Sequence, residues 1–83
     1  MLMSVQGTRD LGSKCAYFRK RVLGLTQADV ARDLYVDRST VSDFERGRNT
    51  SYLILDWYLG HGILLTFSLT DLGLGRTWEA RTP

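Results

Sequence analysis

The sequence has one cysteine, Cys15, and one histidine, His61, among its 83 residues. A single cysteine rules out an intrachain disulfide. One cysteine and one histidine fall short of the four ligands a structural zinc site takes, so no metal and no cofactor is expected. Cys15 reads as a small core residue. No apolar run is long enough to span a bilayer, and the N-terminus has no signal-like apolar core, so a cytoplasmic protein with no membrane association is expected. One histidine and scattered acids supply no nucleophile–base pair, and no catalytic residues are assigned.

What remains is an ordinary globular composition, 43% hydrophobic and 24% charged. A chain this short buries a thin core, and dimerisation is the expected extra source of stability. The net charge is only +2, but the charge is unevenly spread. Arg9, Lys14, Arg19, Lys20 and Arg21 crowd the first 22 residues, and Arg46 and Arg48 form a second basic pair. Clustered positive charge points to an anionic partner; a solvated helix surface is the plainer alternative.

Apolar periodicity predicts a helical chain. Leu11, Cys15, Phe18 and Val22 fall at i, i+4, i+7 and i+11, one stripe of a helix that Gly24 stops. Thr26 with Asp29 reads as a capping box for a second helix from Gln27 to about Leu34, with Val30, Ala31 and Leu34 inward. Val36 plugs the core from the turn "YVD". Asp37 is expected to cap a third helix, with Val41 and Phe44 inward and Gly47 after its end. Ser51 or Thr50 starts a fourth, with Leu53, Ile54, Trp57 and Tyr58 inward. The period then changes. In "ILLTFSL", Ile63, Leu65, Phe67 and Leu69 alternate with other residues, which predicts a strand.

Two short helices joined by a brief turn describe a helix-turn-helix, although any helical hairpin reads similarly. The third helix sharpens the reading. With Val41 and Phe44 turned in, Arg38, Ser39, Thr40, Ser42 and Asp43 are left outside, all groups that bond base edges or phosphates. The helix start adds free N–H groups and a positive dipole end.

The segments "GLTQADVA" and "STVSDFERG" resemble the Cro/CI-type (XRE) helix-turn-helix family over residues 24 to 48. The resemblance implies a mostly α, lambda-repressor-like bundle of four helices that binds double-stranded DNA. It puts Gln27 where the second helix meets the phosphate backbone. Arg38, Ser39 and Asp43 then face the major groove, while Thr40 and Ser42 lie nearer phosphate or the groove edge. Arg46, Arg48 and Asn49 fall in the segment that grips the backbone. Asp43 is ambiguous, an acceptor for a cytosine amino group or a partner for Arg46 or Arg48. Glu45 matches a glutamate that pairs with a base on the first helix, here Lys20 or Arg19. Phe18 lies one residue further from Gly24 than the family pattern has it, which leaves the register of the first helix open.

The predicted C-terminal strand resembles, in architecture, antitoxins of the HipB type. A lone strand leaves an unpaired edge, so Ile63, Leu65, Phe67 and Leu69 are the expected dimerisation residues, pairing across a two-fold axis; a hairpin with the segment around Trp78 is the alternative. The chain thus divides into a flexible start (1–8), a helix-turn-helix domain (9–62), a dimerisation strand (63–69) and a flexible tail (70–83). The functional expectation is a dimeric transcriptional regulator on a palindromic operator, of repressor, phage or plasmid regulator, or antitoxin type. No ligand-sensing domain is expected in a chain of this length. The rival expectation is a protein-binding module that holds a toxin or other partner through the strand and the Trp78 tail.

Overall fold

A computed structural model describes residues 11–73. Within them the chain forms four helices and no strand. Helix α1 covers residues 11–23, its last turn, Phe18–Leu23, being π-helical. Helices α2 (Gln27–Leu34), α3 (Arg38–Glu45) and α4 (Tyr52–Gly60) follow, then a 3₁₀ turn at Ile63–Leu65. No helix of the described chain is long and apolar enough to cross a membrane.

Local signals set most boundaries. Thr26 Oγ1 accepts from Asp29 N at 3.1 Å and Asp29 Oδ2 accepts from Thr26 N at 2.9 Å, a complete capping box. The Ser51 hydroxyl accepts from Ile54 N at 3.3 Å and starts α4. Asp37 occupies the N-cap position of α3, but its side chain makes no cap bond. Only its carbonyl serves, accepting from Thr40 N at 2.9 Å.

The core is a single cluster. Leu11, Cys15 and Phe18 of α1 meet Val30 and Ala31 of α2, Val41 and Phe44 of α3, and Ile54, Trp57 and Tyr58 of α4. Ala31 lets α2 lie close to α3, on which it chiefly packs. The Trp57 ring lies against His61 and donates Nε1 to Asp33 Oδ2 at 2.6 Å, tying α4 to α2.

Val22 departs from the predicted stripe and is exposed. A π turn inserts one residue into an α-helix, so the stripe that runs through Leu11, Cys15 and Phe18 continues at Leu23, which packs on the core. Gly24, at φ 66, closes the wide turn with its N–H on Arg19 O, and Leu25 N bonds the same carbonyl at 3.0 Å. Leu53 is likewise exposed, the inward face of α4 being Ile54, Trp57 and Tyr58.

The strand predicted over 63–69 does not form. The backbone there bonds locally instead: Leu65 N to Gly62 O, and Thr66 N and Phe67 N to Ile63 O. A strand needs a partner for these groups, and a turn satisfies them within the segment. Ile63 is fully buried, Phe67 half-buried, and Leu65 stands 93% exposed, so alternate residues do not share a face. The predicted flexible tail is also corrected over its first residues. Ser68 N donates to Asp71 Oδ2 and Asp71 N donates to Ser68 Oγ, both at 3.0 Å, and Leu72 is buried in the core. The predicted flexible start (1–8) and the rest of the tail, including Trp78, lie outside the described residues.

Gly12 sits in α1 where that helix passes the end of α3. A Cβ there would fall 2.6 Å from Phe44 O and closer still to Glu45 O. Glycine to alanine in a helix normally gains about 0.5–1 kcal/mol. At Gly12 the clash reverses the sign, and Gly12→Ala should cost about 1–3 kcal/mol. Gly60, with nothing within 4 Å of a Cβ, is the control. Urea denaturation of the two variants should move their midpoints in opposite directions; a Gly12→Ala protein as stable as wild type would refute the close approach.

Candidate nucleic-acid interface

Helix α3 turns three residues inward, Val41, Phe44 and Glu45. At about 3.6 residues per turn, Ser39, Ser42, Asp43 and Arg46 then share the opposite side. Ser39 and Arg46 are exposed, Ser42 and Asp43 half-buried. Arg38 lies on the flank beside α2, where its Nη1 donates to Gln27 Oε1 at 3.2 Å. Thr40 lies on the other flank, where Asn49 Nδ2 donates to its carbonyl at 3.3 Å. Asn49 Oδ1 also accepts from Ser51 N, so this side chain links the end of the α3–α4 connection to α3.

Asp43 pairs with Arg48, not Arg46. The Nη1–Oδ1 distance is 3.9 Å, with Arg48 exposed and Asp43 half-buried at the surface, a pairing worth about 0–1 kcal/mol. Arg48 N also donates to Asp43 O at 2.8 Å, which fixes the turn after α3. Arg38, Ser39, Ser42, Asp43 and Arg46 therefore form one continuous polar surface, with Thr40, Arg48 and Asn49 at its edge. Beside it an open hollow of about 570 Å³ is lined by Arg19, Lys20, Gly24, Thr26, Gln27 and Arg38.

The surface is held from beneath by the Glu45 carboxylate. Oε2 accepts from Arg19 Nε and from the Tyr58 hydroxyl, each at 2.8 Å. Oε1 accepts from Arg19 Nη2 at 3.0 Å and Gln27 Nε2 at 2.9 Å. Arg19 spends a further donor on Leu25 O at 2.9 Å. Arg19, not Lys20, is thus the partner of Glu45, and the pair is buried. Among the described residues no buried side-chain nitrogen or oxygen lacks a partner.

This network sets the local acid–base chemistry. Burial alone would raise the Glu45 carboxyl, but hydrogen bonds from Arg19, Gln27 and Tyr58 outweigh it and hold the carboxyl below its ordinary value. Burial, then the Glu45 carboxylate, push the Tyr58 hydroxyl up. The same two causes push the Cys15 thiol up to about 12, so Cys15 stays a neutral core residue.

Sequence reasoning names Gln27 and the polar side of α3 but misses two contributors. Tyr58 reads only as a core aromatic, because nothing in its spacing marks its hydroxyl as a donor to Glu45. Gly12 carries no pattern at all, since a close approach between helices is a tertiary fact.

Residues 17–56 match the helix-turn-helix family model. The match spans somewhat less than half of the chain and supports the XRE-type family and DNA binding. No curated protein and no solved structure matches the chain. The matched segment runs from the last residue before the π turn into α4, so it contains the polar side of α3 and all of the Glu45 network except Tyr58.

Breaking a buried ion pair from one side costs about 3–5 kcal/mol, because the other charge stays buried. Glu45→Gln should fall in that range by urea denaturation. The pH dependence has a definite sign. An unfolded glutamate titrates at about 4.3, and Glu45 in the fold titrates below its ordinary value. Its stabilisation is therefore complete above the unfolded pKa and is lost as pH falls through the folded one. Asp29 and Asp71, held low chiefly by the Thr26 and Ser68 backbone amides, add to the same slope. The difference between wild type and Glu45→Gln isolates the Glu45 share. It should shrink as pH is lowered from 7 towards 3; a constant gap would mean Glu45 is not ionised in the fold.

Proposed function

We propose that the protein is a transcriptional regulator that binds a specific double-stranded DNA site, with α3 in the major groove. The observation that carries this reading is the outward side of α3: Ser39, Ser42, Asp43 and Arg46 in one stripe, Arg38 on its flank, and no large apolar group among them. A protein-docking helix would bring an apolar anchor to such a face. Hydroxyls, a carboxylate and guanidinium groups are instead the chemistry of base edges and phosphates. In this reading Arg38, Ser39 and Asp43 meet bases, and Thr40 and Ser42 meet the groove edge. Gln27, Arg46, Arg48 and Asn49 lie along the phosphate backbone.

We infer further that the regulator acts as a dimer on an inverted repeat, because one short helix offers few base contacts and each good pair gives only about 1–3 kcal/mol of discrimination. Apolar side chains exposed beyond α4 support this. Leu64 is 45%, Leu65 93% and Leu69 40% exposed. Of the residues expected from sequence to form the interface, Leu65 and Leu69 remain available. Ile63 is buried within its own chain, and Phe67 packs edge-on against Tyr17 with ring centroids 6.0 Å apart.

The test is selection of bound duplexes from a random pool, then titration of the enriched sequence in rising salt. An inverted-repeat winner with a steep salt slope is expected. Weak binding to any duplex would remove the reading. On the winner, Arg38→Ala should cost about 1–3 kcal/mol and relax one position of each half-site; a uniform loss over all sequences would make Arg38 a phosphate contact. Leu65→Glu should give a folded monomer by sedimentation, and an undiminished dimer mass would exclude this surface.

A further inference from the structure

Two hollows share Leu25, and their linings differ in charge. The one beside Gln27 and Arg38 is lined by cations and by no carboxylate. The other, of about 430 Å³, is formed by α2, Tyr35 and the end of α4. It is lined by Asp29, Arg32 and Asp33, and by none of the polar residues of α3. Arg32 is held by Asp29, Nη2 donating to Oδ1 at 3.3 Å. That guanidinium offsets one acid and leaves the Asp33 carboxylate uncompensated. Asp33 Oδ2 accepts from Trp57 Nε1 at 2.6 Å, and the residue is exposed, so its other oxygen is open to a partner.

The rest of this hollow is aromatic. The His61 ring is stacked on Trp57, with centroids 3.8 Å apart and planes 26° from parallel. His61 Nδ1 lies 2.8 Å from Trp57 O and donates to it, since a carbonyl only accepts, and this bond fixes the ring. Tyr35 also lines the hollow, yet it is 95% exposed. It holds a large ring in solvent at a φ of 59, where glycine would sit without strain. The core makes no use of that ring.

We propose that this hollow is a docking site for a partner protein, which places an arginine or lysine side chain against Asp33 and the aromatic wall and packs on the Tyr35 ring. Charge complementarity chooses the occupant. An uncompensated carboxylate repels nucleic acid and attracts a cation. Aromatic faces add attraction for a cation within about 6 Å of the ring centre. Tyrosine, tryptophan and arginine gathered around one hollow are also the side chains that dominate protein interfaces. The polar side of α3 has no such aromatic anchor, and Tyr35 supplies one here. The two surfaces have no residue in common, so partner and duplex can be held together. The inference does not rest on the DNA-binding reading.

The test is selection from a random peptide library, displayed on phage, against the full chain. The selected peptides should carry arginine or lysine at a common position. Made as free peptides, they should shift the indole N–H resonance of Trp57 by NMR. Two variants separate the parts of the site. Tyr35→Gly removes the ring and relieves the backbone strain, while Asp33→Asn removes the charge and keeps an oxygen for Trp57. Both should match wild type by circular dichroism, and each should weaken peptide binding about tenfold or more, as truncation at the centre of an interface does.

No enrichment, peptides without a basic residue, or undiminished binding to either variant would overturn the proposal. Binding that is lost instead in Leu65→Glu would also overturn it, because the partner would then sit on the apolar segment after α4. Both variants should hold the selected duplex as tightly as wild type. A matching loss of duplex affinity would make the hollow part of the nucleic-acid surface and exclude a separate docking site. A wild type that enriches no duplex removes the DNA reading, while the peptide selection still decides this one.

Discussion

The carboxylate of Glu45 is bonded from α1, α2 and α4 at once, and it belongs to α3. Arg19 supplies two donors, Gln27 one and Tyr58 one, two on each oxygen. Taking Glu45 and Arg19 out of water is costly, and only good geometry with full hydrogen bonding compensates it. The four donors meet that condition, and they meet it only when all four helices are correctly placed. A misplaced α3 would leave a buried charge short of partners, at a cost of several kcal/mol. Apolar packing tolerates small slips of one helix on another; this network does not. Gly12 serves the same end, since α1 passes the carbonyls of Phe44 and Glu45 too closely for a Cβ.

The same constraint accounts for the π turn at Phe18–Leu23. Arg19 must point at Glu45 while Phe18 enters the core, and Gly24 must turn the chain towards Thr26. The sequence has one residue more between Phe18 and Gly24 than the helix-turn-helix pattern it resembles. A π turn absorbs one residue without breaking the helix. The register upstream then stays in phase with the core, and the extra residue is taken up where Val22 faces solvent. The capping box at Thr26 restarts a regular helix immediately after, with Gln27 in its first turn and within reach of Glu45.

What was legible in the sequence was what is locally encoded. Thr26 and Asp29 are three apart, and the bonds they make lie within one turn of helix, so the start of α2 follows from the residues alone. The inward pair Val41 and Phe44 follows from period. Leu53 and Val22 were misread because period gives a stripe but not its phase once a helix is irregular or crowded on two sides. The segment after α4 was misread for a different reason. Its alternation suggested a strand, but Ser68 and Asp71 have the same spacing as a capping box and stand just before Leu72. That signal was present in "SLTDL" and points to a turn, with Leu72 going into the core. Alternation over seven residues is a weak claim when no partner strand is in reach. The ambiguity between Arg19 and Lys20 could not be resolved from sequence, because it depended on the π turn. Tyr35 was placed in the turn, but nothing marked it as a non-glycine residue at φ 59. Such a conformation costs about 1–2 kcal/mol, and the tight junction of α2 and α3 imposes it.

A surface that reads bases, as proposed for α3, has particular mechanical needs. Ser39, Ser42 and Asp43 are short, so their reach adds little to the position of the helix that carries them. Whether they meet a base edge is decided by the placement of the α3 backbone, to within a fraction of a hydrogen-bond length. Short side chains have little rotamer freedom to lose on binding, and that advantage holds only if the backbone does not have to be reordered. A fully bonded carboxylate under the helix provides that rigidity more strictly than a layer of leucines. Arg38 is the exception, a long side chain whose tip is not fixed by placing its Cα. It is also the residue at the start of the helix with a separate tether, through Gln27 to the same Glu45. One buried acid thus positions the short groups through the backbone and the long one through an amide. The polar side of α3 and the core beneath it are therefore coupled, and the coupling passes through Glu45.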